Sequence, residues 1–178
     1  LISQDKSGPS AARNLGVALA KGSIVAFTDA DCIVESNWLT ELEKGFHAHQ
    51  VAGVGGNQRS PEDESDFGIQ VQDGFRLLGF ATSYTKEPTQ TTKVSHNPSC
   101  NASYHKTIFE ELGGFDETLW PGEDLDLDIR LLRSGKTLLR QPTAIVRHYR
   151  PSSSAQLARM MFRYGQSARK LQHRHGVF

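Results

Sequence analysis

Two rhythms of apolar residues alternate along the 178-residue chain and predict strands and helices in turn. Leu1 and Ile2 read as the end of a strand. Behind Gly8-Pro9, Ala12, Leu15 and Leu19 keep helical spacing; Pro9 suits a first helical turn, and Gly22 closes the helix after Lys21. "SIVAFTDAD" is a short run of β-formers, the pattern of a buried parallel strand. A helix from Asn37 to about His49 carries Trp38, Leu39, Leu42 and Phe46 on one side, and "VAGVGGN" is the next strand. Residues 58–93 hold a helix through Phe75, Leu78 and Phe80 and the polar stretch "TKEPTQTTK", together a variable, partly mobile insertion. Helices follow over 105–112, broken by Gly113-Gly114, and over Glu123–Ser134, stopped by Gly135. "KTLLRQPTAIVRH" reads as edge-like extended chain interrupted by Pro142. Beyond Pro151, a long helix sets Leu157, Met160, Met161, Tyr164, Ala168 and Leu171 against Arg159, Arg163, Lys170 and Arg174.

This alternation predicts an α/β fold with a mostly parallel sheet flanked by helices, in which ligands bind beyond the carboxyl ends of the strands. Residues 1–150 form the domain and 151–178 a basic amphipathic helical tail. Composition adds an ordinary soluble profile, 37% hydrophobic and 22% charged, with no apolar run near the roughly 18 residues of a membrane span. The net charge is zero but unevenly spread. Eight acids lie between Glu110 and Asp128, and none follows Arg147, where seven arginines and lysines stand, which suggests a basic tail working apart from an acidic site. The basic residues lack interleaved aromatics, which argues against nucleic acid, while the tail's basic face is open to a peripheral contact with an anionic membrane. Cys32 and Cys100 are far apart and in no CxxC spacing, which argues against a disulfide framework or structural zinc and for a reducing compartment.

Two constellations carry candidate chemistry. Asp29-Ala30-Asp31 places two carboxylates at a strand end, where they reach a divalent cation such as Mg²⁺ or Mn²⁺, although a polar turn explains the same letters. "WPGEDLDLDIRLLRSGK" delivers Glu123 and Asp124 to a helix start, where the macrodipole favours negative charge. On that helix Leu125, Ile129 and Leu132 share the buried side, Asp126 pairs with Arg130 at the surface, and Asp128 is a further surface acid. An EF-hand loop is excluded because Ile129 stands where its glycine belongs. His148 ends a strand-like run, and "HNPSCNAS" offers polar side chains suited to a polyol, or a plain loop.

The order of these segments, "GPSAARNLGVALAKGSIVAFTDAD…WL" and then "NPSCNASYHK…GGFDETLWPGEDLDLDIRLLRSGK…P…AIVRH", closely resembles the family 2 inverting glycosyltransferases of the GT-A fold, from Gly8 to His148. The resemblance implies a partial GT-A, Rossmann-like domain that begins after the β-α units cradling the nucleoside base, leaving an exposed sheet edge open to self-association. It implies a nucleotide-sugar donor, UDP-sugar favoured, and a saccharide or lipid-linked acceptor. It further implies a Mn²⁺ or Mg²⁺ cofactor; with the cysteine usage, a cytoplasmic setting is expected, the inner membrane face being open to the basic tail. Residue by residue, Asp31, Asp29 and His148 match the metal contacts. Arg13, Asn14 and Asp29 match the nucleotide side, and Asp124 the catalytic base with Glu123 beside it. Asn97, Asn101, Gly114, Phe115, Asp116 and Trp120 would line the sugar and acceptor side. The rival enzyme is a haloacid-dehalogenase-like phosphatase with Asp29 as nucleophile; a non-catalytic GT-A binding module is the rival outside catalysis.

Overall fold

The computed structural model describes residues 2–47, 50–78 and 89–176. Helices α1 (Pro9–Leu19), α2 (Trp38–Gly45), α3 (Asp66–Leu78), α4 (Lys106–Glu111), α5 (Glu123–Arg133) and α6 (Ser154–His175) surround a six-stranded sheet. The strands are β1 (Ile24–Phe27), β2 (Cys32–Val34), β3 (Val51–Arg59), β4 (Thr92–Val94), β5 (Ala102–His105) and β6 (Thr137–His148), in the order β1-β5-β3-β6-β2 with β4 also against β6.

The α/β class is as the pattern predicts, but the sheet is mixed rather than mostly parallel. Among the described residues only β3 and β6 pair in parallel; β1–β5, β3–β5, β2–β6 and β4–β6 are antiparallel. The cause is topological. Strands β1, β3 and β6 do run the same way, but β5 enters between β1 and β3 in the opposite sense and turns parallel neighbours into two antiparallel pairs. Strand β1 ends the sheet order.

The expected edge-like stretch is instead the interior strand β6, bonded to β3 on one side and to β2 and β4 on the other. Pro142 is tolerated because the β3–β6 register jumps from Gly55↔Arg140 to Asn57↔Ile145, so the proline falls in a bulge rather than in the ladder. The bulge folds inward until a Cβ on Gly56 would lie 1.8 Å from the Ala144 carbonyl oxygen, so only glycine fits. The Asn101 carboxamide secures the same place by donating to the carbonyls of Asn57 and Ala144 at 2.9 and 3.0 Å.

Two apolar cores lie on the two faces of the sheet. On one, Val17, Phe109, Leu127 and Leu131 from α1, α4 and α5 pack on Phe27 and Tyr104; on the other, Trp38 and Leu42 from α2 pack on Val54 and Val146. Leu39, expected on the buried side of α2, is exposed. Helix α1 ends at Leu19, before the expected Gly22, and α2 ends at Gly45. The expected mobile stretch falls in part, with Phe80, outside the described residues. On α6 only Ser167 and Leu171 are fully buried, a narrower contact than its apolar stripe suggested.

Candidate active site

A cleft of about 680 Å³ opens at the carboxyl ends of β1, β3 and β6, where an α/β sheet places its ligands. Strand β1 delivers Asp29 and Asp31, β3 delivers Gln58, and β6 delivers His148 with Arg150 just beyond it. The start of α5 supplies Glu123 and Asp124, and α6 forms the far wall through Met160, Arg163 and Tyr164.

Asp31 is the open carboxylate. Its side chain is 61% exposed, and Oδ1 stands 3.5 Å from His148 Nε2. The hydrogen bond with His148 holds its carboxyl below the usual range, against the opposing effect of partial burial. Asp29 is already engaged. Arg13, on α1, donates to Asp29 Oδ1 and to Glu123 Oε1, both at 2.6 Å, and so ties the DAD turn to the start of α5. Asn14, assigned beside it to the nucleotide, does not reach the cleft. Its carboxamide donates to the Phe115 carbonyl at 2.8 Å and accepts from the Phe115 amide at 3.0 Å, which fixes the "GGFDE" loop from behind.

The paired acids have different surroundings. Asp124 receives the Ser99 amide on Oδ2 at 2.9 Å and the Leu125 amide on Oδ1 at 2.8 Å, and still faces the cleft. Glu123 is 3% exposed, and its second oxygen, Oε2, is buried without a hydrogen-bond partner. Burial and the charge of Asp124 outweigh Arg13 and push its carboxyl up to about 7. A carboxyl raised from 4.5 binds more protons folded than unfolded, so its contribution to stability is present at low pH and declines as pH rises through that window. Glu123→Gln is expected to flatten the fall in unfolding free energy between about pH 5 and pH 7.5 by on the order of 2 kcal/mol, measured by urea denaturation across that range.

The remaining acids of α5 are not surface residues. Asp126 and Asp128 are 1% and 0% exposed, and the buried apolar side of the helix is Leu127 and Leu131, not Leu125, Ile129 and Leu132. Asp126 does pair with Arg130, at 2.7 Å, but its other oxygen binds His175 at the end of α6 at 2.7 Å. Arg174 adds ion pairs to Asp116 and Asp126, so the basic tail is fastened to the acidic segment instead of working apart from it. Asp128 accepts from the Tyr104 hydroxyl at 2.9 Å and the Asn97 amide at 2.7 Å, and faces His96 Nδ1 at 2.8 Å.

Of the residues assigned to the sugar and acceptor side, Trp120 lines the cleft beside Arg163, whose guanidinium lies 5.0 Å from the indole centre. Asn97 and Asn101 do not line it: both are buried, and Asn101 is fully used by Trp38 Nε1 and two backbone carbonyls. Gly114, Phe115 and Asp116 lie at a separate depression with Asn14 and Arg174, and Phe115 is core. His96, Arg150, Gln58 and Tyr164 are cleft residues that the sequence reading passed over. Arg150, two residues past His148, was the one with a readable signal. The structure also brings the free thiols of Cys32 and Cys100 together: the hydrogen bond between them lowers the Cys32 thiol to about 7, against partial burial, and raises that of Cys100, which burial raises further.

Residues 1–113 match the family model described as "Glycosyl transferase family 2", which is more than half of the chain. The chain belongs to that glycosyltransferase family. Among its curated relatives, the "Pre-mycofactocin glycosyltransferase" of Mycobacterium tuberculosis is 34% identical over 169 residues, covering 94% of this chain and 36% of the relative. The "O-antigen chain rhamnosyltransferase WbaN" of Salmonella anatum is 29% identical over 153 residues, 83% of this chain and 48% of the relative. The chain thus spans between about a third and a half of these relatives. The fold is shared with solved structures. The mannosyltransferase PcManGT from Pyrobaculum calidifontis in complex with GDP-Man and Mn²⁺ matches with TM-score 0.64 at 20% identity, over 90% of this chain and 41% of that one. GalNAc-T7 with UDP, GalNAc and Mn²⁺ matches with TM-score 0.60 at 18% identity, over 83% of this chain and 32% of that one. The GT-A fold of the family is the fold of this chain. No helix among the described residues is long and apolar enough to cross a membrane.

Proposed function

We propose that the cleft belongs to an inverting glycosyltransferase that takes a sugar from a nucleoside-diphosphate donor and passes it to a hydroxyl of a saccharide or lipid-linked acceptor. The observation that carries this is the juxtaposition, in one cleft, of the carboxylate–imidazole pair Asp31 and His148 with the adjacent acids Glu123 and Asp124, while Arg13 ties Asp29 of the same turn to Glu123.

The donor set of Asp31 and His148 fits a Mn²⁺ or Mg²⁺ ion, since it offers a free carboxylate beside one imidazole nitrogen. When bound, such an ion neutralises charge on the departing diphosphate. Asp29, held by Arg13, faces the nucleotide side. Arg150 lines the cleft beside His148 and adds positive charge on the side where the diphosphate must sit. Asp124 takes the proton of the acceptor hydroxyl, whose oxygen then attacks the anomeric carbon on the face opposite the leaving group. The Ser99 amide holds the carboxylate in orientation while leaving it lone pairs for that proton. Trp120 and the wall of α6 line the acceptor side.

The phosphatase alternative is set aside by the family assignment and by the ion pair that occupies Asp29. The test is transfer from a panel of UDP-, GDP- and dTDP-sugars with Mn²⁺, with the product anomer read by NMR. Inverted product from one donor is expected. Retention of configuration would overturn the mechanism, and nucleotide binding without transfer would make the chain a binding module.

A further inference from the structure

Three soft or borderline ligands meet beside Asp31. The antiparallel β2–β6 ladder places Cys32 directly opposite His148, so the two side chains leave the same face of the sheet. The turn Ser99–Asn101, which precedes β5, brings up Cys100 from the other side and buries it. The two sulfurs and an imidazole nitrogen of His148 all lie within 4.8 Å of one another. Both cysteines are free thiols. In a tetrahedral zinc site, bonds of about 2.3 Å to sulfur and about 2.0 Å to nitrogen set the donor atoms roughly 3.6–3.8 Å apart, so the three groups need close by only about an ångström. Thiolates select Zn²⁺ over Mg²⁺ or Mn²⁺, which prefer oxygen.

We propose that Cys32, Cys100 and His148 form a three-ligand site for a Zn²⁺-type cation, which shares His148 with Asp31 and differs from that pair in its two sulfur ligands. On binding, each ligating thiol releases its proton to solvent, and the sulfur lone pair forms the bond to the metal. Cys100 and His148 line the cleft, so the fourth position faces it, near Asp31 Oδ1, which is 4.0 Å from Cys32 Sγ. Because His148 belongs to both donor sets, a bound Zn²⁺ withdraws it from Asp31. That consequence rests on the reading of Asp31 and His148 given above, whereas the sulfur site does not.

The test uses the 178-residue chain with its thiols reduced, and Co²⁺ and Zn²⁺ as probes. Co²⁺ is expected to give a thiolate-to-cobalt charge-transfer band that one equivalent of Zn²⁺ displaces. Cys32→Ser is expected to lower Zn²⁺ affinity by more than the ~10–100-fold that loss of an outer-shell partner costs, as is Cys100→Ser if it folds. Cys32 is the half-buried partner, so its variant keeps the test valid if the buried Cys100 does not tolerate change. Asp31→Ala is expected to keep the band. No band, a band indifferent to Cys32→Ser, or a band lost in a folded Asp31→Ala variant overturns the site. Mn²⁺ electron paramagnetic resonance then reads the consequence separately: if Zn²⁺ binds without releasing bound Mn²⁺, the shared role of His148 is wrong and the sulfur site stands.

Discussion

Asp124→Asn is expected to lower kcat for sugar transfer by about 10²–10⁴-fold while leaving Mn²⁺ and nucleotide affinity unchanged. The expected split follows from where the residue sits. Asp124 takes its hydrogen bonds from the amides of Ser99 and Leu125, whereas Asp31 is the acid that faces His148. Asparagine keeps one carbonyl oxygen to accept from Ser99 and preserves the shape of the α5 start, so loss of rate reports loss of the proton acceptor. Glu123 is poorly placed to substitute. It is nearly excluded from solvent, and one of its oxygens is spent on Arg13. Transfer persisting in Asp124→Asn, measured under single-turnover conditions with a saturating donor, would move the base to another group.

The largest expected effect on stability lies in a residue that does not line the cleft. Asp128→Ala is expected to destabilise the fold by about 3–5 kcal/mol in urea denaturation, a large share of the ~5–15 kcal/mol that holds a domain together. The carboxylate is fully buried and gathers Tyr104, Asn97 and His96 from a strand and a loop distant in sequence. Removing it strands the buried Tyr104 hydroxyl and the Asn97 amide. Burial pulls the His96 imidazole down, but the bond to Asp128 and the charges of Asp124 and Asp128 outweigh it, so His96 sits above its ordinary value and loses that support as well. Tyr104→Phe removes one bond and keeps the carboxylate, so about 1–2 kcal/mol is expected there. A loss below about 1 kcal/mol in Asp128→Ala would show that the network is not what seats α5 on the sheet.

The contrast between Asp124 and Asp128 marks how far the sequence could be read. Helical spacing placed both acids on one helix, and the Trp-Pro-Gly approach singled out its start, so Glu123 and Asp124 were recognisable. Spacing within a helix cannot say that Tyr104 and Asn97 wait on the buried side, because those partners come from 24 and 31 residues away. Asp126 was misread for the same reason: its pairing with Arg130 is local and visible, its burial under His175 is not. Strand ends were legible because turn residues punctuate them, which is why Asp29, Asp31 and His148 were found together at the cleft. Strand order was not, since β5 enters the sheet between β1 and β3 through non-local pairings that leave no period in the sequence. Asn97 and Asn101 show the limit for polar loops. An asparagine suited to a polyol is equally suited to a buried bulge, and the bulge at Pro142 decided for Asn101.

The central claim is that Asp31 and His148 form the cation end of a nucleotide site. It is tested most directly by calorimetric titration of UDP, GDP and dTDP into this chain, with and without Mn²⁺, beside Asp31→Ala. Binding of one nucleotide is expected to require Mn²⁺ and to weaken by at least about ten-fold, 1.4 kcal/mol, in the variant. Equal nucleotide affinity with and without Mn²⁺, or in Asp31→Ala, would contradict it.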